Sequence, residues 1–393
     1  MKPCLYLVTI TSYPLPGGLT ARINGLINQL IKHGIRVKII SPFLCGEISS
    51  PKDFDLILAN VRGNTHRYLS SISNVFEACR YLIAIPLSIV LFVRILKQAK
   101  FRRRIVIQFM DVASFLPALF TKIALDATII GDDICFRHRI YKFPLNFLLK
   151  AFEIFVLKYT DIITTSFRLE YEMMKKIRKE KKTLFVANGL DVKRCEYIEP
   201  EKKNWKRIIC VSTFFGKGGE LLLGHLLDIA DSLCDKFSDV KIWVIGRGDA
   251  LQKTMLYGRK SVSKGFIKFF GYVSSEKLAS MYKEAAIGIL PFFGDIAHSS
   301  QRIKTLEYFG NGLLVVSSKE DLAGFYGLKD GIHCITAESK EEMIKKLQII
   351  ISHPDKFIHI PKQGRQFIID RYSWESVTKE YVNLIRALLS YNG

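Results

Sequence analysis

The sequence predicts an α/β protein of two doubly wound domains facing a cleft. Three observations carry that prediction. The chain has 393 residues, room for two domains at about 100–200 residues each. Short apolar runs alternate with helix-length segments, the pattern of parallel strands joined by crossover helices. The alternation pauses once, over polar residues 189–206 that include EPEKKNWK, and then restarts. In the first half the strands are LYLVTI (5–10), VKIIS (37–41), FDLILA (54–59), IVIQF (105–109), ATIIG (127–131) and DIITT (161–165), with a helix over about 19–33 after the first. In the second half they are RIICVS (207–212), VKIWVIG (240–246), FIKFFG (266–271), AIGILP (286–291), LLVVSS (313–318) and HCIT (333–336). The domains are therefore placed at 1–188 and 207–370, with 189–206 as linker. Ligands of such sheets sit beyond the carboxyl ends of the strands, so the cleft between the two domains is the expected site.

Composition narrows the partners. Apolar residues make up 49% and charged residues 24%, which is globular and excludes disorder. Fifty-eight basic against 37 acidic side chains give +21, and a balance this basic favours an anionic partner. Residues 1–200 hold 30 basic against 16 acidic side chains and the remainder 28 against 21, so the first half is expected to meet most of the anionic surface. The eight cysteines form no C-x-x-C pair, which argues against zinc or redox motifs and for a reduced, cytoplasmic protein. The N-terminus MKPCLYLVTITSYP reads as a first strand rather than a secretory signal. No recognition helix, RNP-like strand or zinc finger points to nucleic acid.

The most apolar run is YLIAIPLSIVLFV (81–93), between Arg80 and Arg94. Thirteen residues of helix span about 20 Å, short of the hydrocarbon core, and Pro86 weakens the run further. It is read as a buried or interfacial helix rather than a transmembrane one. Phe101-Arg102-Arg103-Arg104 and FRHRIYKFPLNFLLK (136–150) mix cations with aromatics, which suits an anionic headgroup layer. The chain is therefore expected to lie peripherally on the inner face of the membrane.

Loops that follow strands carry the candidate chemistry. Gly17-Gly18 in YPLPGGLTAR precedes a helix, where backbone can approach an anion, although the loop is neither G-x-G-x-x-G nor a Walker A motif. In VSTFFGKGGELL (211–222) Lys217 can reach a diphosphate while helix-start N–H groups face it. In IGRGDALQ (245–252) Arg247 borders an anion, or Asp249 caps a helix. HSSQRIKTLEYFGNGLLVVSS (298–318) gathers Ser299, Ser300, Arg302, Lys304 and Glu307 at a helix that stops at Asn311-Gly312. Those cations can hold phosphates and Glu307 can accept two ribose hydroxyls; a salt-bridged Lys304–Glu307 face is the other reading. Gly131-Asp132-Asp133 ends a strand of the first domain, where the two carboxylates can bind sugar hydroxyls or a proton. Asp53-Phe54-Asp55 has the form of a metal-binding D-x-D but opens an apolar strand.

Taken together, these segments resemble the GT-B glycosyltransferases of glycosyltransferase family 4, which have two Rossmann-like domains. The resemblance spans YPLPGGLTARINGLINQLIKHGIRVKIIS (13–41), LFVANGLDVKRCE (184–196), the segments 266–291 and 302–318, and RYSWESVTKEYVNLIRALL (371–389), similar to the family's last helix, which crosses back to the first domain. It implies retaining transfer of a sugar, a hexosyl group by preference, from a nucleotide-diphosphate sugar to a glycan or lipid-linked acceptor without a metal. Glu307 would then hold the donor ribose, Lys217 the diphosphate, residues 299–302 phosphate or sugar, and Gly17-Gly18 the diphosphate from the other side. Lys217 would counter the charge of the leaving diphosphate, and Asp132 or Asp133 falls where the family often has a histidine. Two other departures stand out: Ser299 replaces the first carboxylate of E-x(7)-E, and Thr213 replaces an arginine. A soluble acceptor, or a catalytically silent nucleotide-sugar-binding scaffold, are the alternatives these departures leave.

Overall fold

The structure is a computed structural model, and it describes residues 4–9, 18–41, 45–48, 88–97, 99, 105–110, 112–132, 145–252, 258–294 and 302–390. The chain divides into two compact units, Met1–Ala187 with Val377–Gly393, and Asn188–Ser376.

The first unit holds a seven-stranded sheet. Its strands are β1 (Cys4–Val8), β2 (Arg36–Ile40), β3 (Cys45–Ile48), β4 (Val106–Phe109), β5 (Thr128–Asp132), β6 (Ile162–Thr165) and β7 (Thr183–Phe185). The order is β3-β2-β1-β4-β5-β6-β7. All pairings are parallel except β2 with β3. Strands buried on both faces read as continuous apolar runs, which is why β1, β2, β4 and β5 stand out in the sequence. β3 and β7 do not, because a short edge strand is defined by its neighbour more than by its own side chains. FDLILA (54–59) and the Asp53-Phe54-Asp55 triplet lie outside the described residues. One face of the sheet presents Tyr6, Val8, Ile107, Phe109, Ile129 and Ile163 to a core that also takes Leu91, Ile95, Phe115, Ala118, Val156 and Leu157 from helical segments. Residues 377–390 continue the helix Trp374–Ser390 into this unit, where the Tyr381 hydroxyl donates to Gln108 and Arg386 donates to the His33 carbonyl at 3.1 Å.

The second unit holds a six-stranded parallel sheet of β8 (Asn204–Val211), β9 (Lys241–Ile245), β10 (Ile267–Gly271), β11 (Ala285–Leu290), β12 (Leu314–Ser318) and β13 (Ile335–Ala337), in the order β10-β9-β8-β11-β12-β13. The helix Gly216–Leu233 buries Leu222, Leu223, Leu226, Leu227, Ala230 and Leu233, an apolar stripe at helical spacing. Ser274 caps the helix Ser275–Glu284 by accepting from the Lys277 N–H. The stretch expected to be a linker is tied into this unit. Leu190 N–H donates to the Tyr372 carbonyl at 2.7 Å and Trp374 N–H to the Leu190 carbonyl at 3.2 Å. Buried Lys203 donates to the carbonyls of Tyr282 at 2.6 Å and Ala285 at 3.2 Å. Its polar composition follows from wrapping the unit's surface, where backbone groups need partners.

Candidate functional site

In a wound sheet the ligand crevice opens where the strand order reverses. In the second unit that point is β8, which is flanked by β9 on one side and β11 on the other. The loops after these strands build the candidate site.

After β8 the chain turns through 212–215 and enters the helix Gly216–Leu233. Phe214 is fully buried and locks this loop to the one after β9. Its N–H donates to the Arg247 carbonyl at 2.9 Å, and its own carbonyl accepts from Ala250 N–H at 3.1 Å. The Gly216 N–H donates to Asp249 Oδ1 at 3.1 Å. Asp249 thus caps the helix of the neighbouring loop and sits against its positive dipole end. The close approach demands glycine: a Cβ at Gly248 would stand 2.1 Å from the Phe214 carbonyl, and at Gly246, where φ is +140°, 1.8 Å from the Ser212 oxygen. Gly248→Ala is expected to force the loops apart, costing about 1–3 kcal/mol. A lowered melting temperature with weakened nucleotide binding checks it; wild-type values for both would show that the loops give way freely.

On this locked frame Lys217 and Arg247 are exposed, and among the described residues neither has an ion-pair partner. The Arg247 guanidinium lies 6.0 Å from the Tyr272 ring centroid. The Lys217 and Gly218 N–H groups occupy the first turn of the helix, where no intrahelical acceptor exists. Two cations and a helix start are groups of the kind that can hold an anion.

The helix Ile303–Gly310 brings Glu307. The Tyr308 hydroxyl accepts from Val211 N–H at 2.7 Å and so pins this helix to the carboxyl end of β8. Gly288 is small because the Tyr308 ring occupies the space of its Cβ. Glu307 accepts from the Tyr282 hydroxyl at 2.8 Å through Oε2, and from Lys304 Nζ at 2.9 and 2.7 Å through Oε1 and Oε2. Burial and the Glu307 charge push the Tyr282 phenol well above its ordinary pKa, so it remains a donor. The salt-bridged pair anticipated for Lys304 and Glu307 is therefore present, while Glu307 stays partly open to solvent.

Arg302 is engaged differently. Its Nε donates to the buried carboxylate of Asp321, and its guanidinium stacks 3.3 Å from the Phe292 centroid. Ser317 Oγ donates to the other Asp321 oxygen at 3.0 Å. Burial drives the Asp321 carboxyl up in pKa, against the pull of Arg302. Arg302 thus braces the end of β12.

In the first unit, Asp132 ends β5 with both oxygens taken. Arg22 Nε donates to Oδ2 at 2.7 Å and Nη2 to Oδ1 at 2.8 Å, and Thr164 Oγ1 also donates to Oδ1. Arg22 Nη1 reaches the Val186 carbonyl at 2.8 Å. Both partners are buried, so Asp132 joins the helix Gly18–Lys32 to three strand ends instead of presenting a carboxylate to solvent. Gly18 opens that helix; Gly17, Asp133, Ser299 and Ser300 lie outside the described residues.

Sequence reasoning missed Tyr282, Tyr308 and Asp321. Tyr282 and Tyr308 lie inside the quoted segments but are not among their charged or glycine positions, and each of the three meets a partner at least 19 residues away. The one available signal was a buried-looking helix or strand position occupied by a residue with a polar tip.

Residues 206–353 match the family model described as glycosyl transferases group 1. No curated protein matches the chain by sequence. Among solved structures, TarM is similar over 98% of this chain and 99% of its own at 11% identity, with a TM-score of 0.71. Anabaena HepE in complex with UDP and glucose is similar over 98% and 99% at 10% identity, with a TM-score of 0.66. A mutant of S. aureus TarM in complex with Fondaparinux, alpha-GlcNAc-glycerol and UDP is similar over 75% of this chain at 14% identity, with a TM-score of 0.59; this chain spans 58% of that one. The chain therefore has the two-unit α/β GT-B fold, and residues 206–353 of its second unit are similar to the glycosyl transferases group 1.

Proposed function

We propose that this protein is a retaining glycosyltransferase that moves a sugar from a nucleotide-diphosphate sugar to a glycan or lipid-linked acceptor at a membrane surface. The observation that carries the donor half is the cationic helix start at Lys217, held in place by the Phe214 interlock and lying within the matched domain. HepE, of the same fold, is seen with UDP and glucose. In this reading the Lys217 ammonium and the first-turn N–H groups receive the negative charge that grows on the diphosphate as the glycosidic bond to the sugar breaks. Arg247 adds charge from the adjacent loop. No protein nucleophile is assigned.

Glu307 takes the ribose. An ionised carboxylate offers about four lone-pair sites, of which three are occupied in the structure. Two vicinal hydroxyls need two acceptors, so one Lys304 hydrogen bond must yield when donor binds, while the Tyr282 bond keeps the carboxylate oriented. A contact to ribose, remote from the breaking bond, is made equally in ground and transition states, so its loss appears in KM. Glu307→Gln is expected to raise donor KM about 10–100-fold with kcat little changed, the cost of a charge-assisted hydrogen bond. Steady-state kinetics over a panel of nucleotide-sugars test this, and NMR of the product anomer tests retention. Unaltered donor KM in Glu307→Gln would remove the ribose assignment.

A further inference from the structure

Three helical segments of the first unit carry apolar side chains on both faces. In 145–159, Leu149, Val156 and Leu157 are buried in the core, yet Phe147, Leu148, Ile154, Phe155 and Tyr159 face outward. Phe147 is 67% and Leu148 61% exposed. Residues 88–97 repeat the pattern: Leu91 and Ile95 are buried, while Ile89, Val90, Val93 and Leu96 are exposed. The helix Phe115–Leu125 adds Ile123, 76% exposed, and Leu125. These segments are neighbours, since Phe92 meets Phe120 and Phe115 meets Phe155 with ring centroids 5.9 and 5.8 Å apart. All three contribute to one core cluster. An amphipathic helix in water turns a polar face outward, so outward apolar stripes on adjacent helices mark a surface that something covers.

The charges say what covers it. Lys97, Lys150 and Lys158 are exposed on these segments. Their one carboxylate, Glu153, is buried, and Asp126 just beyond the helix Phe115–Leu125 is the exposed acid beside them. Lysine stems lie along apolar surface while their ammonium groups reach outward. Apolar stripes flanked by cations, in the half of the chain that carries the larger positive excess, complement a layer with an apolar interior and an anionic rim. Among the described residues no helix is long and apolar enough to cross a membrane, so contact made through these faces is interfacial.

We infer that the exposed face of residues 88–97, 115–125 and 145–159 docks the first unit onto an anionic lipid bilayer. This deepens the membrane-acceptor part of the reading above and is independent of the donor site. The test is flotation of the full chain with vesicles of phosphatidylcholine alone or mixed with phosphatidylglycerol, at low and high salt. Wild type is expected to float with the mixed vesicles at low salt and to be released by salt. Lys150→Glu/Lys158→Glu is expected to weaken binding more than about tenfold, at about fivefold for each lysine lost. Phe147→Ser/Ile154→Ser is expected to abolish it. The lysine pair is exposed and lies outside the core, so it tests the idea even if the apolar pair lowers stability. Melting temperature and nucleotide titration are read on the same samples; normal nucleotide binding without flotation overturns the docking face and leaves the donor reading standing. Flotation undiminished in both variants overturns the assignment too. So does a wild-type dimer in solution that the same variants dissociate, because a second copy would then be the cover.

Discussion

Lys217→Ala is expected to lower kcat by about 10²–10³-fold, the loss typical of one preorganised donor to a developing anion. The reason lies in the frame. Lys217 sits in the first turn of a helix whose entrance is fixed by Phe214 and capped by Asp249, so in the proposed reading the backbone that carries the cation needs no rearrangement to meet a diphosphate. The charge on the diphosphate is larger when the sugar bond is broken than before, so the loss should fall on kcat and kcat/KM together. Lys217→Arg should recover part of the rate, since it keeps charge but presents it with a different geometry. The measurement is steady-state transfer and donor hydrolysis, with melting temperature as control. Because Lys217 is exposed and no other described residue forms an ion pair with it, stability should be untouched. A variant that transfers sugar at the wild-type rate would show that this helix start does not hold the leaving group.

Asp132→Asn is expected to destabilise the protein by about 3–5 kcal/mol, because it leaves the Arg22 guanidinium charged and buried without its counterion. For a domain of this size that corresponds to a fall in melting temperature of about 10 °C. The double replacement Arg22→Met/Asp132→Leu should cost less than either single change, since both desolvated charges are then gone. Thermal unfolding of the three variants decides the matter. A stable Asp132→Asn with transfer abolished would return Asp132 to the chemistry and overturn its assignment as an ion-pair anchor.

The site was legible to different depths. Lys217, Arg247 and Glu307 follow strand ends or occupy a helix that a glycine stop signal terminates, so local patterning alone brought them to the same edge of the second sheet. Arg302 and Asp132 lie in equally suggestive places, at a helix start and a strand end. Their engagement with Asp321 and Arg22 depends on residues 19 and 110 positions away. No periodicity encodes such a pairing. The glycines after β9 are a similar case: the sequence shows them, but only the structure shows that Gly248 admits the backbone of Phe214 and Gly246 the carbonyl of Ser212.

From the sequence by itself came the two wound sheets, the positive excess of the first half and the helix stop at Asn311-Gly312, because apolar periodicity, net charge and turn chemistry are local properties. The tertiary structure decided which charged groups are free to meet a ligand and which are consumed in holding the fold, and it showed apolar helix faces turned outward. Those outcomes depend on desolvation and on the neighbours that distant segments supply, and a linear pattern carries neither.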